Sequence, residues 1–196
     1  MIHVVRHGRT AANAGGLLLG RADPPLDPEG VIQARAAAAA LPADAVVVSS
    51  PLQRCAATAA ALADSYVVDD RFIELDYGTW DLTPLREVPP ELWASWRSDP
   101  HFRPDGGETL AELADRVAQG LEHWVAEAHG RDLVVVTHVS PIKAALAWAL
   151  GVGIEISWRA FVAQASITRI AMSPRGPSLH AFNDVSHLVE AVTPRP

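Results

Sequence analysis

The sequence predicts an α/β fold: a three-layer α/β/α sandwich with a mostly parallel sheet and one antiparallel edge strand. Uninterrupted apolar runs are typical of strands buried on both faces of a sheet, and three of them lie at 2–5, 45–50 and 132–138. Helix-like segments separate these runs, as in a parallel sheet covered by helices. The segment 166–172 alternates apolar and polar residues, and we interpret 178–183 as its antiparallel neighbour.

The predicted helices have recognisable first residues. Asp27 is a good N-cap and precedes Pro28, a residue favoured at the first helical position. Thr109 and Glu112 have the spacing of a capping box. The predicted helices extend over 27–41, 52–63, 109–128 and 140–150, and a short third strand is predicted at 66–68.

The stretch from 71 to 107 interrupts this alternation of strands and helices. It is rich in proline and contains Trp80, Trp93 and Trp96. We interpret it as loops around one short helix, with an insertion at about 79–107 over the site. The sequence has no internal repeat, low-complexity linker or shift in composition, so it predicts a single domain over 1–196.

The composition argues against several classes of protein. The chain has 196 residues, of which 49% are hydrophobic, and this is ample for a large core. Its formal charge of −7 makes nucleic acid and anionic membranes poor partners. Cys55 is the only cysteine, so neither an intramolecular disulfide nor a cysteine-based zinc site is expected. With no basic leader and no apolar run of about 18 residues, we expect a cytoplasmic protein of undetermined oligomeric state.

Polar side chains follow three of the predicted strands at the point where each strand ends. Arg6 and His7 follow the first, Arg54 comes shortly after the second, and His138 ends a later one. The carboxyl ends of strands in an open α/β sheet form the ligand crevice, so these residues are expected to converge. Two arginines, two imidazoles and helix N-termini are suited to a doubly charged phosphate group.

Each of these residues also has a simpler explanation when it is taken alone. His7 would be a hydrogen-bonded residue at a strand end, Arg54 a surface charge on a helix, and His138 a core histidine. Cys55 beside Arg54 is better explained as a small buried residue than as a reactive thiol. The coincidence of the charged and imidazole groups at strand ends is what favours a site.

Motifs along nearly the whole chain resemble those of the histidine phosphatase superfamily, also called the phosphoglycerate mutase-like family. VRHGRTAAN at 5–13 is similar to the family's Arg-His-Gly-x-Thr-x-x-Asn motif, and VVVTHVSPIKAAL at 134–146 to its second-histidine motif. Further similar segments, in chain order, are GRADPPLDPEGVIQA at 20–34, SSPLQRCAATA at 49–59, IELDYGTW at 73–80, GGETLAELADRV at 106–117 and FNDVSHL at 182–188.

The resemblance implies a phosphatase that acts through a covalent phosphohistidine on His7. It also implies that Glu74 is the proton donor, with Asp76 as the nearest competitor. The other implied contacts to the phosphoryl group of a small phosphomonoester come from Arg6, Thr10, Asn13, Arg54, His138 and Val139. No cofactor and no metal are implied, because two arginines supply the charge that Mg²⁺ supplies elsewhere.

Two other functions remain open at this point. A phosphoglycerate mutase would share the pocket, but mutases of this family are generally longer, whereas the segment 78–107 and the tail 189–196 are short here. A non-catalytic phosphate-binding protein would be expected to have lost His7 or an arginine, and all candidate residues are intact. We therefore favour hydrolysis.

The substrate is left open by the sequence. Sugar phosphates, phosphoglycerate derivatives, nucleotides and α-ribazole phosphate are all compatible with the resemblance. The chain departs from the family pattern at Asp81-Leu82, where Glu-Gly is usual, and at Val139-Ser140, where a small pair is usual. Further cations that either meet the substrate or lie on the surface are Arg86, Arg97, His101 and Arg103.

Overall fold

The computed structural model describes residues 1–188, and these residues form an α/β structure around a six-stranded sheet. The strands are β1 (Ile2–Arg6), β2 (Val46–Ser49), β3 (Val67–Val68), β4 (Leu133–Thr137), β5 (Ile167–Ser173) and β6 (Gly176–Asp184), in the order β3-β2-β4-β1-β5-β6. The first four are parallel to one another, whereas β5 pairs antiparallel with both β1 and β6. The mostly parallel sheet with antiparallel pairing at one edge is confirmed.

Helices cover both faces of this sheet, which confirms the three-layer prediction. They are α1 (Ala11–Ala14), α2 (Pro28–Ala39), α3 (Gln53–Leu62), α4 (Pro90–Ser98), α5 (Leu110–Glu127) and α6 (Val139–Leu150). The four longer predicted helices agree with α2, α3, α5 and α6 to within two residues at each end. The short α1 and the 3₁₀ turns at Asp70–Phe72 and Ile154–Arg159 were not predicted.

Successive strand residues enter two different apolar clusters, which explains why the strands have no polar alternation. Val4 and Val135 pack with α5 and α6 on one face, whereas Val5 and Val136 pack with α2 and α3 on the other. Both faces of each central strand are therefore buried, as the uninterrupted valines predict.

A third apolar cluster lies beside the carboxyl ends of the strands. It is built around Leu18, Val88 and the fully buried Trp96 of α4, with Trp93 and Trp158 packed against it. This cluster brings α4 towards the residues that follow β1. The tail 189–196, which the sequence analysis compared with that of mutases, lies outside the described residues. Over residues 1–188, no helix is long and apolar enough to cross a membrane.

Candidate active site

The carboxyl ends of β1, β2 and β4 bring the predicted histidines and arginines to one place. Arg6 is the last residue of β1 and pairs in register with Thr137 of β4, so His7 and His138 follow side by side. Their ring centroids are 5.1 Å apart. Arg54 reaches the same point from the first turn of α3. The convergence expected from the strand ends is present in the structure.

The hydrogen bonding of His7 determines which ring nitrogen is free. Its Nδ1 lies 2.7 Å from the carbonyl oxygen of Gly8, which only accepts, so Nδ1 carries the proton and Nε2 the lone pair. Burial, and then the charges of Arg6 and Arg54, hold the pKa of His7 well below its ordinary value. The imidazole is therefore neutral, buried and at the wall of a cavity.

Arg6 supplies a buried positive charge beside His7. One terminal nitrogen donates to the carbonyl oxygen of Val162 at 2.8 Å, whereas the buried Nε–H has no partner among residues 1–188. Burial lowers the pKa of Arg6 to about 10, so the guanidinium stays charged at neutral pH. A buried donor without a partner costs free energy unless a ligand accepts from it. Arg6 lines the same cavity as His7 and is therefore placed to bind an anion.

Arg54 and His138 lie behind His7 and do not line the cavity. The Arg54 guanidinium donates to the carbonyl oxygens of Gly20 and Ala22, both at 2.7 Å, and its Nε–H donates to Nδ1 of His138 at 3.2 Å. Because Nδ1 accepts, the neutral His138 ring carries its proton on Nε2 and donates to the Ser50 hydroxyl at 2.7 Å. Direct contact of these two side chains with the phosphoryl group stays a prediction.

Glu74 lies at the cavity wall, and the competing acid Asp76 does not. An oxygen of the buried Glu74 carboxyl accepts from the backbone N–H groups of Leu75 at 2.7 Å and Ser140 at 3.2 Å. Burial raises the pKa of Glu74, which favours the protonated form that a proton donor needs. Asp76 instead accepts from the N–H of Gly78 at 2.8 Å. The geometry therefore favours Glu74 for proton transfer at the site.

The neutral residues predicted to bind substrate have different positions. Thr10 is buried and caps α1, and its hydroxyl donates to Oδ1 of Asn13 at 3.0 Å. Thr10 does not line the cavity, but it orients Asn13, which does. Val139 lines the cavity at the first residue of α6, where a helix N-terminus favours anions.

The cavity has a volume of about 340 Å³ and extends from His7 to the third apolar cluster. Trp93 and Trp96 line it, whereas Trp80 does not. The further cations Arg86, Arg97, His101 and Arg103 are exposed and are not in its wall.

Sequence reasoning missed many residues of the wall, among them Lys143, Leu17 and Trp158. Lys143 lies on α6 five residues after His138, and Leu17 follows α1. Trp158 belongs to the 3₁₀ turn at Ile154–Arg159, which has no periodic pattern that would place it here. Lys143 follows the predicted wall residue Val139 by four positions in α6, and this i,i+4 spacing is a signal that could have located it. Residues 1–188 contain no cluster of three or more His, Cys, Asp and Glu side chains that could hold a metal ion.

The departure from the family pattern at Asp81-Leu82 has a structural role. Asp81 accepts from the backbone N–H groups of Gly20 at 2.7 Å and Ala22 at 2.6 Å. The same two residues offer their carbonyl oxygens to Arg54. Leu82 has φ of 64°, a conformation that favours glycine, which is the usual family residue at this position. Asp81 therefore fixes the loop on which the buried Arg54 depends.

Replacing Asp81 by alanine is expected to lower the free energy of unfolding by about 2 kcal/mol, because two backbone N–H groups lose a charged acceptor. Urea denaturation measures the change, with Asp44→Ala as the matched control. Asp44 is exposed and accepts no hydrogen bond within 1–188, so its loss should change stability by less than about 0.5 kcal/mol. Equal effects of the two substitutions would contradict the role given to Asp81.

Comparisons with known proteins are consistent with this geometry. A bifunctional protein of Mycobacterium tuberculosis (strain ATCC 25618 / H37Rv) is 38% identical over 175 residues, covering 84% of this chain and 48% of that protein. The chain thus spans about half the length of the first curated relatives that it matches. Phosphoserine phosphatase 1 of Hydrogenobacter thermophilus is 33% identical over 197 residues, covering 95% of this chain and 93% of the relative.

A solved structure and a family model complete the comparison. The structure of mycobacterial glucosyl-3-phosphoglycerate phosphatase with VO3 superposes with a TM-score of 0.84 at 28% identity, covering 93% of this chain and 98% of that one. The model of the histidine phosphatase superfamily (branch 1) matches residues 2–185. Together with the site described above, this match shows that the chain belongs to the histidine phosphatase superfamily.

Proposed function

We propose that this protein is a phosphatase that hydrolyses small phosphomonoesters through a covalent phosphohistidine on His7, without a metal. The observation that carries the proposal is the neutral His7 ring, with Nδ1 fixed on the Gly8 carbonyl and Nε2 free, beside the unpartnered Nε–H of Arg6. The similarity to a phosphoserine phosphatase and to a glucosyl-3-phosphoglycerate phosphatase supports a phosphomonoester as substrate.

In the first step, the lone pair on Nε2 of His7 attacks phosphorus, and a nitrogen–phosphorus bond forms as the bond to the leaving oxygen breaks. Protonated Glu74 donates its proton to that oxygen, so the leaving group departs as a neutral alcohol and the phosphoryl group stays on His7. In the second step, the Glu74 carboxylate accepts a proton from water while the water oxygen attacks phosphorus. The nitrogen–phosphorus bond breaks as the water oxygen bonds to phosphorus, so inorganic phosphate is released and the free imidazole and protonated Glu74 are restored.

The charges around His7 are suited to the phosphoryl group during both steps. The guanidinium of Arg6 is placed to donate its free N–H to a phosphoryl oxygen, and the N-terminus of α6 at Val139 adds a favourable dipole. Arg54 contributes charge from behind His138 and positions that ring. Positioning and charge neutralisation supply most of what phosphoryl transfer requires.

The proposal is tested by the release of phosphate from p-nitrophenyl phosphate and a panel of alkyl phosphomonoesters in the presence of EDTA. We expect turnover that is unaffected by EDTA. Transfer of the phosphoryl group between positions of phosphoglycerate, with no release of phosphate, would favour a mutase instead. Binding of inorganic phosphate without either reaction would favour a non-catalytic binding protein.

Replacing Glu74 by glutamine is expected to lower kcat for alkyl phosphates by about 10²- to 10⁴-fold, because an alkoxide needs a proton to leave. With p-nitrophenyl phosphate, whose leaving group needs no proton, we expect a rapid burst of one p-nitrophenolate per protein molecule, followed by slow turnover. Stopped-flow absorbance measures both phases. Asp76→Asn is the matched control, and a larger loss in that variant would assign proton transfer to Asp76.

A further inference from the structure

The cavity is larger than a phosphate group requires. At roughly 30 Å³ for each water-sized group, the four oxygens of a phosphate fill about a third of its 340 Å³. The charged wall residues Arg6, Glu74 and Lys143 lie close to one another, since the charges of Glu74 and Arg6 shift the pKa of Lys143. Because Arg6 is next to His7, this charged group lies at the His7 end of the cavity. The rest of the cavity therefore surrounds the leaving group of the substrate.

The wall around this remaining space is mostly apolar and aromatic, although the cavity wall also contains the polar residues Ser157 and Gln164. It includes Leu17, Leu18 and Leu85, together with Trp93 and Trp158, whose ring centroids are 6.1 Å apart and whose planes are at 82°. Two indoles in edge-to-face contact offer both a face and an edge to a flat group beside them. Burial of apolar surface here, rather than hydrogen bonding, would supply the binding free energy for the leaving group.

The same wall is unsuited to an ammonium group. Among residues 1–188, Glu74 is the only acid in this wall, and its carboxyl already accepts from two backbone N–H groups. The guanidinium of Arg97 lies 6.0 Å from the ring centroid of Trp93 and 5.7 Å from that of Trp158. A second cation at these indoles would be repelled by Arg97 and, deeper in the cavity, by Lys143.

We propose that the space bounded by Leu17, Leu18, Leu85, Trp93 and Trp158 is a leaving-group subsite for a phosphomonoester of an alcohol that carries a flat aromatic group and no ammonium. The inference rests on the proposed phosphatase function and narrows its substrate class. It separates this chain from an enzyme for phosphoserine, since serine carries an ammonium and is too small to fill the subsite.

A series of 2-substituted ethyl phosphates tests the subsite, because the series changes the leaving group and leaves the reacting centre constant. We expect kcat/KM for 2-phenylethyl phosphate to exceed that for ethyl phosphate by at least about tenfold. We expect 2-aminoethyl phosphate to be the slowest. A fourth member, 2-carboxyethyl phosphate, measures whether Lys143 binds an anion instead.

Each outcome decides between the alternatives. Equal rates for the phenyl and unsubstituted compounds would overturn the subsite, as would the highest rate on the carboxylate or ammonium compound. Hydrolysis of ethyl phosphate without a preference for phenyl leaves the proposed function standing and removes only this inference. Hydrolysis of none of the four by folded protein removes both.

Leu85→Ser provides a second test that does not endanger the fold, because Leu85 is 46% exposed. We expect the preference for the phenyl compound over ethyl phosphate to fall by about fivefold. Leu150→Ser is the matched control, since Leu150 is also 46% exposed but lies outside the cavity wall. An unchanged preference in Leu85→Ser, or an equal fall in both variants, would contradict the subsite.

Discussion

Replacing His7 by alanine is expected to lower kcat for every phosphomonoester substrate by about 10⁴- to 10⁶-fold, the scale seen when a covalent nucleophile is removed. The neighbouring histidine cannot take over the reaction. Both nitrogens of His138 already make hydrogen bonds, to Arg54 and to Ser50, so no lone pair is free to attack phosphorus. Arg6 and the α6 N-terminus would remain, so His7→Ala should still bind inorganic phosphate.

The covalent intermediate gives this prediction a readout besides turnover. Native protein mixed with ³²P-labelled substrate and quenched in alkali should retain an acid-labile label on His7, and His7→Ala should retain none. His3→Ala is the matched control, because His3 is a buried histidine within β1, the strand that His7 follows, and its ring nitrogens make no hydrogen bond within 1–188. Label retained by folded His7→Ala protein would place the nucleophile elsewhere.

The central sheet was predictable from the sequence because its strands are buried on both faces. Val4 and Val5 are packed in clusters on opposite faces of the sheet, so apolar residues occupy consecutive positions and do not alternate with polar ones. The termini of α2 and α5 were predictable for a local reason. Asp27 and Thr109 accept hydrogen bonds from backbone N–H groups three residues later, as their spacing indicates.

The candidate site was only partly predictable, because sequence pattern indicates where a side chain starts and not which partner it meets. The predicted strand ends indicated that Arg6 and His7 lie close to His138. The pattern did not reveal that Arg54 would point its donors at backbone carbonyls, or that Thr10 would orient Asn13 from outside the cavity. Trp158 reaches the wall through a 3₁₀ turn whose position depends on tertiary packing alone.

Replacing Arg54 by methionine is expected to lower the free energy of unfolding by about 3 kcal/mol and kcat by about 10³-fold. Arg54 is fully buried, and its removal leaves two carbonyl oxygens and Nδ1 of His138 without donors. It also removes one of the charges that hold the pKa of His7 low. Arg54→Lys keeps the charge but loses the forked geometry, so its loss of stability should be smaller and its loss of kcat still large.

Urea denaturation and steady-state kinetics measure these effects, with Arg35→Met as the matched control. Arg35 is exposed on α2, so its loss should leave stability and kcat nearly unchanged. If Arg54→Met matched that control in both measurements, the buried guanidinium would have no part in positioning His138. If Arg54→Met does not fold, Arg54→Lys carries the same comparison.

The double variant with Asp81→Ala shows whether Arg54 acts through the loop as well as through His138. The loop at Gly20 and Ala22 is held from both sides, with its carbonyl oxygens on Arg54 and its N–H groups on Asp81. Once either partner is removed, the loop is free to move. Removing the second partner should therefore lower the free energy of unfolding by less than it does in the native protein. We expect the loss in free energy of unfolding of the double variant to be smaller than the sum of the two single losses by about 1 kcal/mol. Strict additivity would mean that the two side chains stabilise the fold independently, and that the positioning of His138 by Arg54 does not depend on Asp81.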